Sequence, residues 1–188
     1  MKNKKKLIVI SGPSGVGKGV VIKQLLQDLS CLELAVSATT RPIRSGEVNK
    51  KDYYFLTNIA FDEAITNDAF IEYCDVHGNR YGTLKEEVER INSNDKIGLV
   101  EIDTQGAKKI KTSFPEILSI FIAPPTINDL RIRLEQRQTE TSDEIQRRVT
   151  NAEEELKKIQ DYDFVVINDT IENSRNEIIT IITKTFNL

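Results

Sequence analysis

Residues 7–19 read LIVISGPSGVGKG, an apolar run followed by a glycine-rich stretch and the first residues of a helical pattern. Strand, glycine loop and helix start, in that order, are what a phosphate-binding loop requires. Gly12 and Gly17 stand where the chain must turn tightly with no Cβ in the way, so that backbone N–H groups converge on phosphate oxygens. Pro13, Ser14, Gly15 and Val16 fill the loop between them. The N-terminus of the following helix aims partial positive charge at the same anion. Lys18 adds a full charge for the outer phosphates. The implied ligand is a nucleoside triphosphate. One position departs from the pattern: the hydroxyl residue that usually follows the lysine and ligates Mg²⁺ is Gly19, with Val20 after it. Any Mg²⁺ must then rest on phosphates, waters and carboxylates from elsewhere.

The whole chain fits one domain able to bury a sizeable core, at 188 residues with 39% apolar and 29% charged residues. A net charge of −3 makes nucleic acid an unexpected partner. Cys31 and Cys74 lack metal-ligand spacing and read as reduced packing residues of a cytoplasmic protein. The basic head Lys2–Lys6 precedes only four apolar residues, too few for a signal peptide, and no stretch approaches a membrane span.

Apolar spacing predicts a helix from the loop to about Asp28, a strand at Leu34–Ser37, and an exposed loop over 41–52. A short strand at Tyr53–Leu56, a helix at Phe61–Asn67 and a strand at Ala69–Val76 follow, closed by His77-Gly78-Asn79. Helical period returns at Leu84–Ile91, and buried strands follow at Ile97–Ile102 and Ile117–Ile122. Thr126 or Asn128 caps a helix to Arg137, and Ser142 or Asp143 opens a longer one to about Ile159. Phe164–Ile167 is the last strand and Ile171–Thr185 the closing helix. Strands alternating with helices at both ends imply a three-layer α/β fold on a parallel sheet, interrupted by a strand-rich insertion.

Such a sheet binds ligands beyond the carboxyl ends of its strands, where three features gather. SATTRPIR places Arg41 and Arg44 just past a strand end, suited to a second phosphate or to a solvated loop. VEIDTQG puts Glu101 and Asp103 on one side of a strand terminus, where metal-bound water is usually held. Arg133 and Arg137 lie one helical turn apart, with Arg147 and Arg148 beyond a polar break. Paired arginines of this kind suit phosphoryl transfer, which needs charge neutralised and water excluded.

SATTRPIRSGEVNKKDYYF, FIEYCDVHGNRYGT, VEIDTQGAKKI, IFIAPPT, LEQRQTET and VVIND occur in the order and spacing of guanylate kinases. Over about residues 7–185 the chain resembles that family of P-loop nucleoside monophosphate kinases. The resemblance implies phosphoryl transfer from ATP to GMP with Mg²⁺. It implies a core of residues 5–36, 84–125 and 160–188, a small β-rich GMP-binding lobe at 37–83 and a helical lid at 126–159. Arg41, Arg44, Tyr53 and Tyr81 match positions that hold the GMP phosphate, Glu72 the base-reading carboxylate, and Ser37 and Thr83 hydroxyls that donate to guanine O6. Glu101 and Asp103 match the acidic strand end near metal and phosphates. Arg137 and Arg148 match lid arginines over the ATP phosphates, with Arg133 on the face of Arg137, and Asn168 matches a position near adenine. No general base is implied, and His77 need not act. The expected partners are ATP and GMP, with no nucleic acid or membrane, for a monomer or homodimer.

Three positions depart from the family pattern: Gly19-Val20, Lys50 where glycine is common, and Gln138 where glycine follows the lid arginine. Two other functions compete. A non-catalytic domain of the same fold that binds phosphorylated partners tends to lose the loop lysine, and Lys18 is present. A kinase for another phosphorylated acceptor, such as a ribose bisphosphate, would lack Ser37, Glu72 and Thr83, and all three are present.

Overall fold

The computed structural model describes residues 6–76, 78–136 and 141–188. His77, Arg137 and Gln138 lie outside the described residues. Five parallel strands form the main sheet: β1 (Leu7–Ser11), β2 (Leu32–Leu34), β7 (Ile97–Glu101), β8 (Leu118–Ala123) and β9 (Phe164–Ile167). Their order is β2-β7-β1-β8-β9, with β1 at the centre and wholly buried. Alternation sends Ile8 and Ile10 to one face, against α1 (Lys18–Asp28), α5 (Ile127–Gln136), α6 (Ser142–Leu156) and α7 (Ile171–Phe186). Leu7 and Val9 face α3 (Lys85–Ser93) and α4 (Thr104–Ser113) on the other. Both faces are covered, which explains why these strands read as continuous apolar runs.

A second, four-stranded sheet makes the inserted lobe, in the order β4-β3-β6-β5, from β3 (Ala38–Thr39), β4 (Tyr54–Phe55), β5 (Phe70–Val76) and β6 (Asn79–Leu84). It encloses its own small core, where Phe61 of α2 (Asn58–Thr66) stacks on Phe70 with ring centroids 4.5 Å apart. Glu87 of α3 ties lobe to core: its buried carboxylate accepts from Val36 N (3.0 Å) and from the Tyr54 hydroxyl (3.0 Å).

The structure corrects several sequence expectations. Leu34–Ser37 is no strand; β2 ends at Leu34 and the segment crosses between sheets. Ala35 N still donates to Leu99 O of the main sheet, whereas Ser37 O already accepts from Tyr54 N of the second. β6 and α4 were not anticipated. β6 reads NRYGTL and lacks a clean alternation, and α4 carries only Ala107 and Ile110 as buried aliphatics. α6 stops at Leu156 and a 3-10 turn (Ile159–Asp161) follows. The helix opens at Ser142, one of the two expected openers, behind the cap Thr141, which is reciprocally bonded with Glu144 in a capping box. Thr126, one of the two predicted caps, does accept from Asp129 N at 3.0 Å. Lys50 adopts φ +65°, a left-handed conformation that suits the glycine common at this position in the family.

Candidate active site

β1 delivers the glycine loop to the carboxyl edge of the sheet. Gly12 and Gly17 have φ of +147° and +104°, as the reading of the loop requires. Gly17 is the N-cap of α1; it has no side chain to cap the helix, and its carbonyl accepts from Val20 N at 3.1 Å and Val21 N at 3.2 Å. The Lys18 ammonium donates to the loop's own carbonyls, Gly12 O at 2.6 Å and Pro13 O at 3.1 Å. Arg148 comes from α6 and donates to the Ser14 hydroxyl at 2.6 Å.

Arg133 and Asn168 hold the loop from the other side. Asn168 follows the end of β9 and is buried; its amide donates to Val16 O at 2.7 Å and accepts from the Ser174 hydroxyl at 2.8 Å. Arg133 of α5 reaches the same Val16 carbonyl at 3.2 Å and Asn168 O at 2.7 Å. Between Gly15, Gly17, Arg133, Asn168 and Ile171 opens a cleft of about 500 Å³. The side chains of Asn168 and Arg133 are thus engaged in shaping the loop as well as bordering the cleft.

The acidic strand end sits next door, because Ile10 of β1 pairs with Glu101 of β7. Asp103 caps α4, accepting from Gly106 N at 2.8 Å, and lies 3.7 Å from the Cys74 thiol. Glu101 is exposed. Glu155 of α6, absent from the predicted set, is half-buried near Lys18 and Asp103. Burial, reinforced by Asp103, lifts its carboxyl above the usual range against the pull of Lys18.

The inserted lobe supplies the other half. Glu72 of β5 is buried and accepts from the Thr83 hydroxyl of β6 at 2.9 Å. Desolvation pushes its carboxyl up to about 7; the Thr83 hydrogen bond opposes this and nearby Asp103 adds to it. A Cβ at Gly106 would stand 2.9 Å from Glu72 Oε2, so α4 packs closely on this carboxylate and a larger residue there would make its tip shift. Tyr53 and Tyr81 meet edge to face at 6.1 Å, and Arg41 lies over the Tyr53 ring at 5.4 Å. Burial lifts the Tyr53 hydroxyl above its ordinary value. Ser37 lies where the chain enters the lobe, and Arg44 is exposed on the loop beyond Arg41. A larger cavity, about 980 Å³, opens beside α4 near Lys108 and Tyr73 and touches Glu72 alone of the predicted site residues.

Phosphate loop, acidic strand end and buried lobe carboxylate therefore share one edge of the fold. Among the described residues no three carboxylates, thiols or imidazoles are grouped to hold a metal by themselves. Also among them, no helix is long and apolar enough to cross a membrane.

Comparison with known proteins agrees with this layout. The guanylate kinase family model matches residues 4–185. The guanylate kinase of Clostridioides difficile is 42% identical over 92% of this chain and 84% of its own length. That of Caldanaerobacter subterraneus subsp. tengcongensis is 45% identical over 94% of this chain and 85% of its own. The crystal structure of guanylate kinase from Anaplasma phagocytophilum superposes with a TM-score of 0.74 at 32% identity, covering 95% of this chain and 84% of that one. The loop, the acidic edge and the inserted lobe, in one continuous match, place the chain in the guanylate kinase family.

Proposed function

We infer that this chain transfers the γ-phosphoryl group of ATP to GMP, yielding ADP and GDP, and that the two halves of the site take the two nucleotides. The observation that carries the assignment of the acceptor is Glu72, a buried carboxylate beside a hydroxyl donor in the inserted lobe. An ionised carboxylate accepts from both N1–H and the exocyclic amine of guanine. Adenine has neither and would leave the acid buried and unpaired. Ser37 adds a hydroxyl for O6, and the Thr83 hydroxyl, which donates to Glu72 in the empty site, would have to turn from it to serve O6 as well. Arg41, Arg44, Tyr53 and Tyr81 are four donors for a dianionic monoester.

On the donor side the glycine loop, with Lys18, takes the ATP phosphates and the cleft by Asn168 takes the base. Arg133, Arg137 and Arg148 neutralise charge on the moving phosphoryl group, and residues 126–159 close over it as a lid. The attacking oxygen is an ionised phosphate oxygen of GMP, so no general base is needed. Positioning and charge neutralisation carry the rate.

A Mg²⁺ bound with ATP would offset the negative charge of the phosphates. The residues here suit a Mg²⁺ that arrives with the nucleotide and keeps its waters. A Cβ at Gly19 would meet nothing within 4 Å, so the place of the usual hydroxyl is open space. Asp103 is engaged in capping α4, which leaves exposed Glu101 as the better partner for a metal-bound water. The protein acts in the cytoplasm on these small molecules, as a monomer or homodimer.

The test is a coupled assay for ADP released from Mg·ATP with GMP, dGMP, AMP, UMP and ribose bisphosphate precursors as acceptors. Turnover with GMP far above AMP and UMP is expected. Binding of GMP without turnover would overturn the catalytic reading in favour of a phospho-ligand binding domain.

A further inference from the structure

Arg41 does not wait in solvent for a phosphate. Its guanidinium donates to Glu47 Oε1 at 2.7 Å and to Pro42 O at 2.7 Å, and lies 5.4 Å from the Tyr53 ring centroid and 5.6 Å from that of Phe55. The other oxygen of the same carboxylate, Oε2, accepts from the backbone N–H of Arg44 at 2.7 Å. One side chain thus grips both arginine positions of the loop.

Glu47 is itself fixed from below. Its N–H donates to Arg44 O at 3.1 Å, closing a four-residue turn. Gly46 stands third in that turn at φ +88°, the conformation that a type II turn reserves for glycine. Backbone and side chain of Glu47 therefore bond the same residue, Arg44, in both directions. A carboxylate anchored this way does not swing aside as a latch would. The ion pair also keeps Glu47 charged: Arg41 first, then the Arg44 N–H, hold its carboxyl below the usual range.

We propose that Glu47 is a positioning residue for the acceptor phosphate, which presets the Arg41 guanidinium and the Arg44 backbone in the geometry that grips the GMP monoester. The inference rests on the reading of Arg41 as a phosphate ligand. Two opposing effects decide its sign. A carboxylate beside Arg41 weakens the positive field that a dianion meets. Against that, a free arginine loses rotamer entropy when ordered, and here that ordering precedes GMP. Glu47 spends one guanidinium nitrogen and orients the remaining donors, so preorganisation outweighs the loss of field.

The experiment titrates GMP and guanosine into the full-length wild-type protein and the Glu47→Gln, Glu47→Ala and Arg41→Ala variants by calorimetry. Guanosine reports the base-reading half and is blind to the phosphate grip. The preference for GMP over guanosine is expected to fall about ten- to a hundred-fold in Glu47→Ala and less in Glu47→Gln, with guanosine affinity unchanged. Unchanged or tighter GMP binding in Glu47→Ala overturns the proposal, as does equal weakening of both ligands, which would mark a merely structural loss. Arg41→Ala separates the two levels. If it too leaves the preference intact, the phosphate assignment of Arg41 fails; if it abolishes the preference while Glu47→Ala does not, only the role of Glu47 fails.

Discussion

The two halves of the site are built on opposite principles. The phosphate loop is local: eight consecutive residues, 12–19, carry the backbone N–H groups, and side chains from α5, α6 and Asn168 just beyond β9 only brace it. The acceptor half is assembled from side chains spread over residues 37–103, and two of them are held by other side chains: Glu72 by Thr83, Arg41 by Glu47. Backbone recognises any polyphosphate, because every nucleoside triphosphate carries the same one. A base must be told from other bases, and that takes a buried acid with a specific partner, which is costly to desolvate and sensitive to proton concentration. In the proposed reading, generic affinity and selectivity thus sit in separate regions.

That contrast breaks most sharply at Lys18. Lys18→Ala is expected to lower kcat by about a hundred- to a thousand-fold while GMP affinity stays within two-fold; steady-state kinetics with a parallel GMP titration checks both. Loss of GMP binding as well would mean the halves are not separable.

On the other side, Glu72→Gln is expected to raise KM for GMP by about ten- to a hundred-fold and leave KM for ATP unaltered. Equal changes in both would remove Glu72 from base reading.

Proton concentration sharpens the same division. With the Glu72 carboxyl lifted to about 7 in the empty protein, GMP affinity should rise as pH increases through 7 and level off above it, while ATP affinity stays flat. Stability of the empty protein has the reverse sign. Between the ordinary carboxyl value and about 7 the folded chain keeps a proton that the unfolded chain has released, so stability falls as pH rises through that window. Asp103, Lys109 and Thr83 face Glu72 and tune the midpoint. Melting temperature against pH should flatten in Glu72→Gln; an unchanged slope would assign the dependence elsewhere.

The smallest effect is expected at Gly19→Ser, whose new side chain enters open space. It should lower the Mg²⁺ concentration for half-maximal rate by a few-fold with little change in kcat. An identical Mg²⁺ titration would mean that the hydroxyl is dispensable in this fold.

Legibility from sequence follows the same split. The loop, its strand and its helix were readable because glycine torsions and apolar runs are local signals. Glu101 and Asp103 were readable as a strand end, but not that Asp103 would serve as the cap of an unforeseen helix. Without the family resemblance, Glu72 is one more acid in FIEYCDV, and nothing local marks it as buried. Glu47 sits in an exposed-looking loop and gave no signal, because its partner lies across a turn that only Gly46 hints at. Glu87 and Glu155 escaped for the same reason: each looks like the solvent face of a charged helix until another element packs on it.

By itself, then, the sequence determined the phosphate loop, the parallel α/β core and, through its motifs, the family. These are written in torsional preference and hydrophobic period, which act over a few residues. Tertiary structure alone decided which carboxylates are buried, which hydroxyl or guanidinium each one meets, and where the chain crosses from one sheet to the other at 35–37. Burial and pairing depend on segments far apart in the chain closing on one another, and a local pattern holds no record of that closure.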